Sequence, residues 1–175
     1  MDDVTHIPGD RGSGPGGPGR VRHAVPMAGL ETPGKPPADA PADVVTVVLA
    51  DDSDVYRHGM RRAIERDARL ALVAEVADGA AALAAIRELQ PDVALLDLDM
   101  PALDGVEIGC RIQADPPPRR PRLVLVSAFL SADTAARARA CGMDHQRDKT
   151  TPRREICDLL AGGESDAPPA GPQTA

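Results

Sequence analysis

Aromatic side chains are almost missing from this chain. It has no tryptophan, one tyrosine (Tyr56) and one phenylalanine (Phe129). Recognition of nucleic acid by base stacking therefore has almost nothing to work with, and the core must be assembled from Val, Leu, Ile and Ala. Positive charge is also short. The 20 Lys and Arg stand against 27 Asp and Glu, a net charge of −7, which argues against nucleic-acid binding by bulk charge. No apolar run approaches the roughly 20 residues of a membrane span. The acidic, polar start "MDDVTHIPGD" is not a secretory signal, so the expected location is cytoplasmic. Cysteine is scarce as well. Cys110, Cys141 and Cys157 are scattered and odd in number, so neither a disulfide framework nor a zinc site is expected, and all three read as small buried apolar side chains.

Glycine and proline are plentiful but concentrated. Residues 1–43 carry "GDRGSGPGGPGR" and "TPGKPPADAPAD", a composition that cannot bury enough apolar surface to offset its ordering entropy. This segment is expected to be a disordered tail, and 163–175, with "ESDAPPAGPQTA", a second one. Between them, 44–162 alternates in pattern. Strands are expected at 44–50, 70–76, 92–97, 122–127 and 143–149, and helices at 55–67, 79–90, 104–115, 131–142 and 151–163. Asp54, Asp104 and Ser131 read as helix caps, and Gly142 as a terminator. Five strands alternating with five helices imply right-handed crossovers and a doubly wound parallel α/β sheet covered on both faces. The near-continuous apolar runs "VVTVVLA", "VALL" and "RLVLV" suit strands buried on both sides.

In such a sheet the loops leaving the carboxyl ends of the strands meet at one crevice. Those ends carry Asp51 and Asp52 after strand 1, Asp97 and Asp99 after strand 3, Ser127 after strand 4 and Lys149 after strand 5. Clustered carboxylates repel one another unless a cation sits among them. A hard divalent ion with oxygen ligands, Mg²⁺, answers that need, because it takes one or two carboxylates plus phosphate oxygens. Lys149 supplies a compact positive charge for an anion, and Ser127 a short donor. The set suits transfer of a phosphoryl group to a carboxylate. Taken singly, each of these residues has a plainer reading as a helix cap or a solvated side chain. Their joint arrival at one sheet edge is what points to chemistry.

The stretches "VVLADDSDVYRHGMRRAI", "VAEVADGAAAL", "PDVALLDLDMPALDG", "RLVLVSAF" and, more weakly, "ACGMDHQRDKT" resemble receiver domains of bacterial two-component response regulators. The first four resemble the subgroup usually joined to a LuxR/NarL-type helix-turn-helix output domain. The resemblance implies a flavodoxin-like fold with strand order 2-1-3-4-5. It implies Asp97 as phosphoacceptor, with a sensor histidine kinase as phosphodonor. It also implies Mg²⁺ held by the Asp52 and Asp97 side chains and the Asp99 backbone carbonyl, with Asp51 acting on the metal through water. Ser127 would contact the phosphoryl group and Lys149 would pair with it. Met100, Pro101, Asp104 and Gly105 would shape the turn after the acceptor, and the small Ala128 would leave it accessible.

Two departures stand out. Where the family carries a switching aromatic before the lysine, this chain has Gln146 followed by Arg147, so a weaker or altered conformational response is expected. After Gly163 too little chain follows for a helix-turn-helix. A receiver acting without DNA contact through an unknown downstream protein, with no enzymatic activity beyond its own phosphorylation and dephosphorylation, is therefore expected. The rivals are a degenerate receiver that binds a partner without phosphorylation, and a haloacid-dehalogenase-like phosphatase using "DLD" at 97–99. The phosphatase family places its Asp-x-Asp on the first strand, whereas here "DD" comes first. His58 and His145 read as surface residues.

Overall fold

The computed structural model describes residues 44–162. The two segments expected to be disordered, 1–43 and 163–175, lie outside the described residues. The elements run β1 (Val45–Ala50), α1 (Asp54–Glu65), β2 (Leu70–Val76), α2 (Gly79–Leu89), β3 (Val93–Asp97), α3 (Gly105–Ala114), β4 (Arg122–Ser127), α4 (Ala132–Ala140), β5 (His145–Asp148) and α5 (Arg153–Leu160). All strand pairs are parallel, and the sheet order is β2-β1-β3-β4-β5.

Alternation along the strands sorts the core into two layers. Val47, Leu49, Val93, Leu95, Val124 and Val126 point to one face, where α1 and α5 bring Tyr56, Met60, Ile64, Ile156, Leu159 and Leu160. Val48, Ala50, Ala94, Leu96, Leu123 and Leu125 point to the other, against α2 and α3 with Leu83, Ile86, Val106, Ile108 and Ile112. Both faces of the central strands are thus dry, as the continuous apolar runs require. α4 is different, with Ala138 as its buried residue. β5, at the sheet edge, is half-buried throughout, where the polar sequence "HQRD" is tolerated.

The helix starts follow local chemistry. Asp78, Asp104 and Ser131 cap α2, α3 and α4 by accepting from the backbone N–H three residues on. α1 corrects the sequence reading. Its cap is Ser53, whose hydroxyl accepts from the Tyr56 N–H, and Asp54 is the first helical residue. Asp54 there faces the positive end of the helix dipole and pairs with Arg57. Gly142 takes φ +77 after α4, where the chain must turn left-handed.

The cysteines are a second correction. Cys157 is buried, as expected, but Cys110 and Cys141 are bonded to each other across 31 residues of sequence. Cys110 is exposed and Cys141 half-buried. Scattered spacing hid a pair that helix packing brings together.

Candidate phosphoacceptor site

The carboxyl ends of β1 and β3 lie side by side, with Ala50 opposite Leu96. This register sets Asp51 and Asp97 at neighbouring strand ends. Asp97 is in turn paired with Val126 on β4, one residue short of Ser127. Lys149 follows β5, and its N–H donates to the Ser127 carbonyl at 2.8 Å. Backbone pairing alone therefore gathers residues from four strand ends.

Their side chains meet. Lys149 Nζ lies 2.8 Å from an Asp51 carboxylate oxygen and 2.8 Å from one of Asp97. One carboxylate oxygen each from Asp51, Asp52 and Asp97 falls within 4.8 Å of the others. Asp51 and Asp97 are buried, and Asp52 is exposed at the mouth. Burial pushes the Asp97 carboxyl up to about 6, against the hydrogen bond from Lys149 and with the added repulsion of Asp51. For Lys149, burial works against the charge, but its close contacts with the Asp51 and Asp97 carboxylates outweigh it and hold the ammonium above its ordinary range.

The donor set fits a hard cation. Asp51 accepts from the Ser53 N–H through Oδ1. Its Oδ2, though close to Lys149 Nζ, has no aligned hydrogen bond and is buried. A buried carboxylate oxygen with an unused lone pair, beside two more carboxylates, is a ready ligand for Mg²⁺. Asp99 has an exposed side chain and stands outside this cluster.

Ser127 is buried at the end of β4, but its hydroxyl is turned into its own loop. It donates to the Phe129 carbonyl at 2.8 Å and accepts from the Phe129 N–H at 3.1 Å. Gln146, in the place of the expected aromatic, donates from Nε2 to the Ala135 carbonyl in α4 at 3.0 Å. Ala128 is exposed beside Ser127. In the turn after Asp97, the Pro101 carbonyl accepts from the Gly79 N–H at 3.1 Å, and Gly105 packs so closely that a Cβ there would stand 2.4 Å from the Asp97 carbonyl oxygen.

Two participants escaped the sequence reading. Tyr56 lies under the lysine, with Nζ 4.9 Å from the ring centroid and the Arg153 guanidinium 5.9 Å from it. Its hydroxyl is buried without a hydrogen-bond partner, and burial, with the negative charge of Asp51, pushes it up to about 12. Arg57 donates to the Asp51 carbonyl at 2.7 Å and to Glu75 at 3.1 Å, bracing β1 against α1 and β2. A lone tyrosine five residues after Asp51 was the available signal for the first. Nothing in the spacing marked the second.

Residues 47–161 match the family described as the response regulator receiver domain. The chain belongs to this family. The receiver is 31% identical over 116 residues to the response regulator protein VraR of Staphylococcus aureus, an alignment covering 66% of this chain and 54% of that protein. It is 33% identical over 132 residues to a protein-glutamate methylesterase/protein-glutamine glutaminase of Azospirillum brasilense, covering 70% of this chain and 34% of that one. The chain thus spans about half and about a third of these relatives. Among solved structures it superimposes on the signal receiver domain of the putative response regulator NarL from Mycobacterium tuberculosis. There the TM-score is 0.65 and the identity 34%, with 70% of this chain and 99% of that one covered. No helix among the described residues is long and apolar enough to cross a membrane.

Proposed function

We propose that the receiver accepts a phosphoryl group on Asp97 from the phosphohistidine of a sensor histidine kinase and passes the change of state to a downstream protein. The observation that carries this reading is one cluster. A buried acceptor carboxylate lies 2.8 Å from an ammonium and within ligand distance of two further carboxylates. A carboxylate oxygen of Asp97 attacks the phosphorus, the bond to the donor breaks, and its electron pair leaves with the donor. Asp51, Asp52, Asp97 and the Asp99 carbonyl would hold Mg²⁺, which when bound offsets the negative charge of the phosphoryl oxygens. Lys149 contributes the other positive charge and keeps Asp97 aimed at the crevice. Ser127 reaches the phosphoryl group by giving up its two hydrogen bonds to Phe129. No separate substrate is turned over, since the chemistry begins and ends on the same aspartate. Family membership supports the cytoplasm as the place of action.

The test is incubation with acetyl phosphate and Mg²⁺, read on a phosphate-affinity gel beside Asp97→Asn. A Mg²⁺-dependent shifted band that vanishes in the variant is the expected result. A folded wild-type protein giving no shift would instead favour a receiver that binds its partner without phosphorylation. One observation speaks for that second reading: Gln146 ties β5 to α4 by a hydrogen bond where a movable aromatic was expected.

A further inference from the structure

Beyond that reading, we propose that Cys110 and Cys141 form a reversible thiol–disulfide site whose closed form fastens α4 to α3. The two Cα atoms are 4.4 Å apart and the residues are bonded. Packing brings them together independently of the bond. A Cβ built on Gly109 would stand 2.7 Å from the Cys141 carbonyl oxygen, so α3 meets the end of α4 at a position where only glycine leaves room. The pair is also reachable. Both cysteines line an open cleft of about 410 Å³ with Asp104, Glu107 and Arg137. Accessible disulfides exchange with small thiols more readily than shielded ones, and in a reducing compartment a disulfide in such a place is transient rather than structural. Cys157 stands apart from this chemistry, because it is buried and burial pushes its thiol up to about 11.

α4 is the element where such a bond has most effect. Of its nine residues Ala138 is buried, and the rest are small, polar or charged and at least partly exposed. A helix with so little apolar burial opens locally at low free energy. Gln146 tethers its middle to β5, and the disulfide tethers its C-terminal end. Its N-terminal end follows directly on the loop in which Phe129 holds the Ser127 hydroxyl. Closing the bond therefore restrains the helix into which that loop runs.

The oxidant is a low-molecular-weight disulfide. The thiolate of exposed Cys110 attacks one of its sulfurs and expels one thiolate. The thiolate of Cys141 then attacks the Cys110 sulfur of the mixed disulfide and expels the second. One small disulfide becomes two thiols, the cysteine pair gives up two electrons, and its two protons go to the departing thiolates. Excess thiol reverses both steps.

The test uses the full chain and does not depend on phosphorylation. The protein is incubated with oxidised glutathione, alkylated without denaturant, and read by intact mass and peptide mapping. Amide hydrogen exchange is measured across 129–140 in both redox states. The expected product is a monomer lighter by two hydrogens, unlabelled at Cys110 and Cys141, with several-fold slower exchange in α4. Dithiothreitol should restore labelling of both and the faster exchange. Cys141→Ser should carry a glutathione adduct at Cys110 and show no slowing. Two free thiols persisting in oxidised glutathione, a bond formed only between chains, or α4 exchange equal in the two states would overturn the proposal.

Discussion

Removing the ammonium of Lys149 would leave Asp51 and Asp97 buried side by side without their counter-charge. Breaking a buried pair in this way costs about 3 kcal/mol, and the ammonium is itself only slightly exposed. Lys149→Ala should therefore unfold at lower denaturant in metal-free buffer, and Mg²⁺ should stabilise it more than it stabilises the wild type. Equal Mg²⁺ responses in denaturant titrations would count against the cluster as a cation site. Asp97 gives a prediction of its own. Its carboxyl holds a proton up to about 6 in the folded chain, against about 3.9 unfolded. The folded state then binds more protons between those values, so this group's contribution is fully present below the lower value and lost as pH rises through the upper one. Metal-free wild type should lose stability across that window, and Asp97→Asn should flatten the curve. A decline of the same size in the variant, followed by urea titration at each pH, would assign it to other groups.

At the scale of elements, α3 is pressed onto the end of β3 through Gly105. Gly105→Ala must displace the Asp97 backbone, whose carbonyl oxygen a Cβ would approach to 2.4 Å, together with the Leu125 side chain at 2.7 Å. Overpacking of this kind costs about 1–3 kcal/mol. Because the displaced backbone belongs to Asp97, the proposed acceptor, acetyl-phosphate labelling should fall along with the urea midpoint. A loss of stability with labelling intact would show that the loop alone had yielded. Element boundaries were largely legible in the sequence, since β2 and β4 fall where the apolar runs put them. The start of α1 was not, because Ser53 and Asp54 are equally good caps by type and only the backbone turn decides between them. The strand-end residues of the site were legible because parallel topology carries them to one edge. The Cys110–Cys141 bond and the seat of Tyr56 under Lys149 were not, since both depend on which helix faces which.

Over the whole molecule, the end of the sheet away from the site has its own acid-sensitive joint. Asp92 accepts from the Thr46 N–H at 2.8 Å and from the Thr46 hydroxyl at 2.6 Å, and pairs with Arg119. Burial works against its charge, but these partners outweigh it and hold the carboxyl below its usual range. The sign is opposite to that of Asp97. The contribution is present above about 3.9 and lost as pH falls through the lower folded value. Asp92→Asn should be less stable than wild type at neutral pH and should converge with it in strong acid, a comparison circular dichroism in urea would make. A constant gap at every pH would mean that shape, not charge, is what Asp92 supplies. The two carboxylates thus give opposing pH responses at the two ends of the sheet. The scarcity of aromatics has a practical side too. With no tryptophan and one tyrosine in the whole chain, and that tyrosine lying against Lys149, ultraviolet absorption and fluorescence at tyrosine wavelengths report on a single place, so the native protein carries its own optical probe of events beside Lys149 and Asp97.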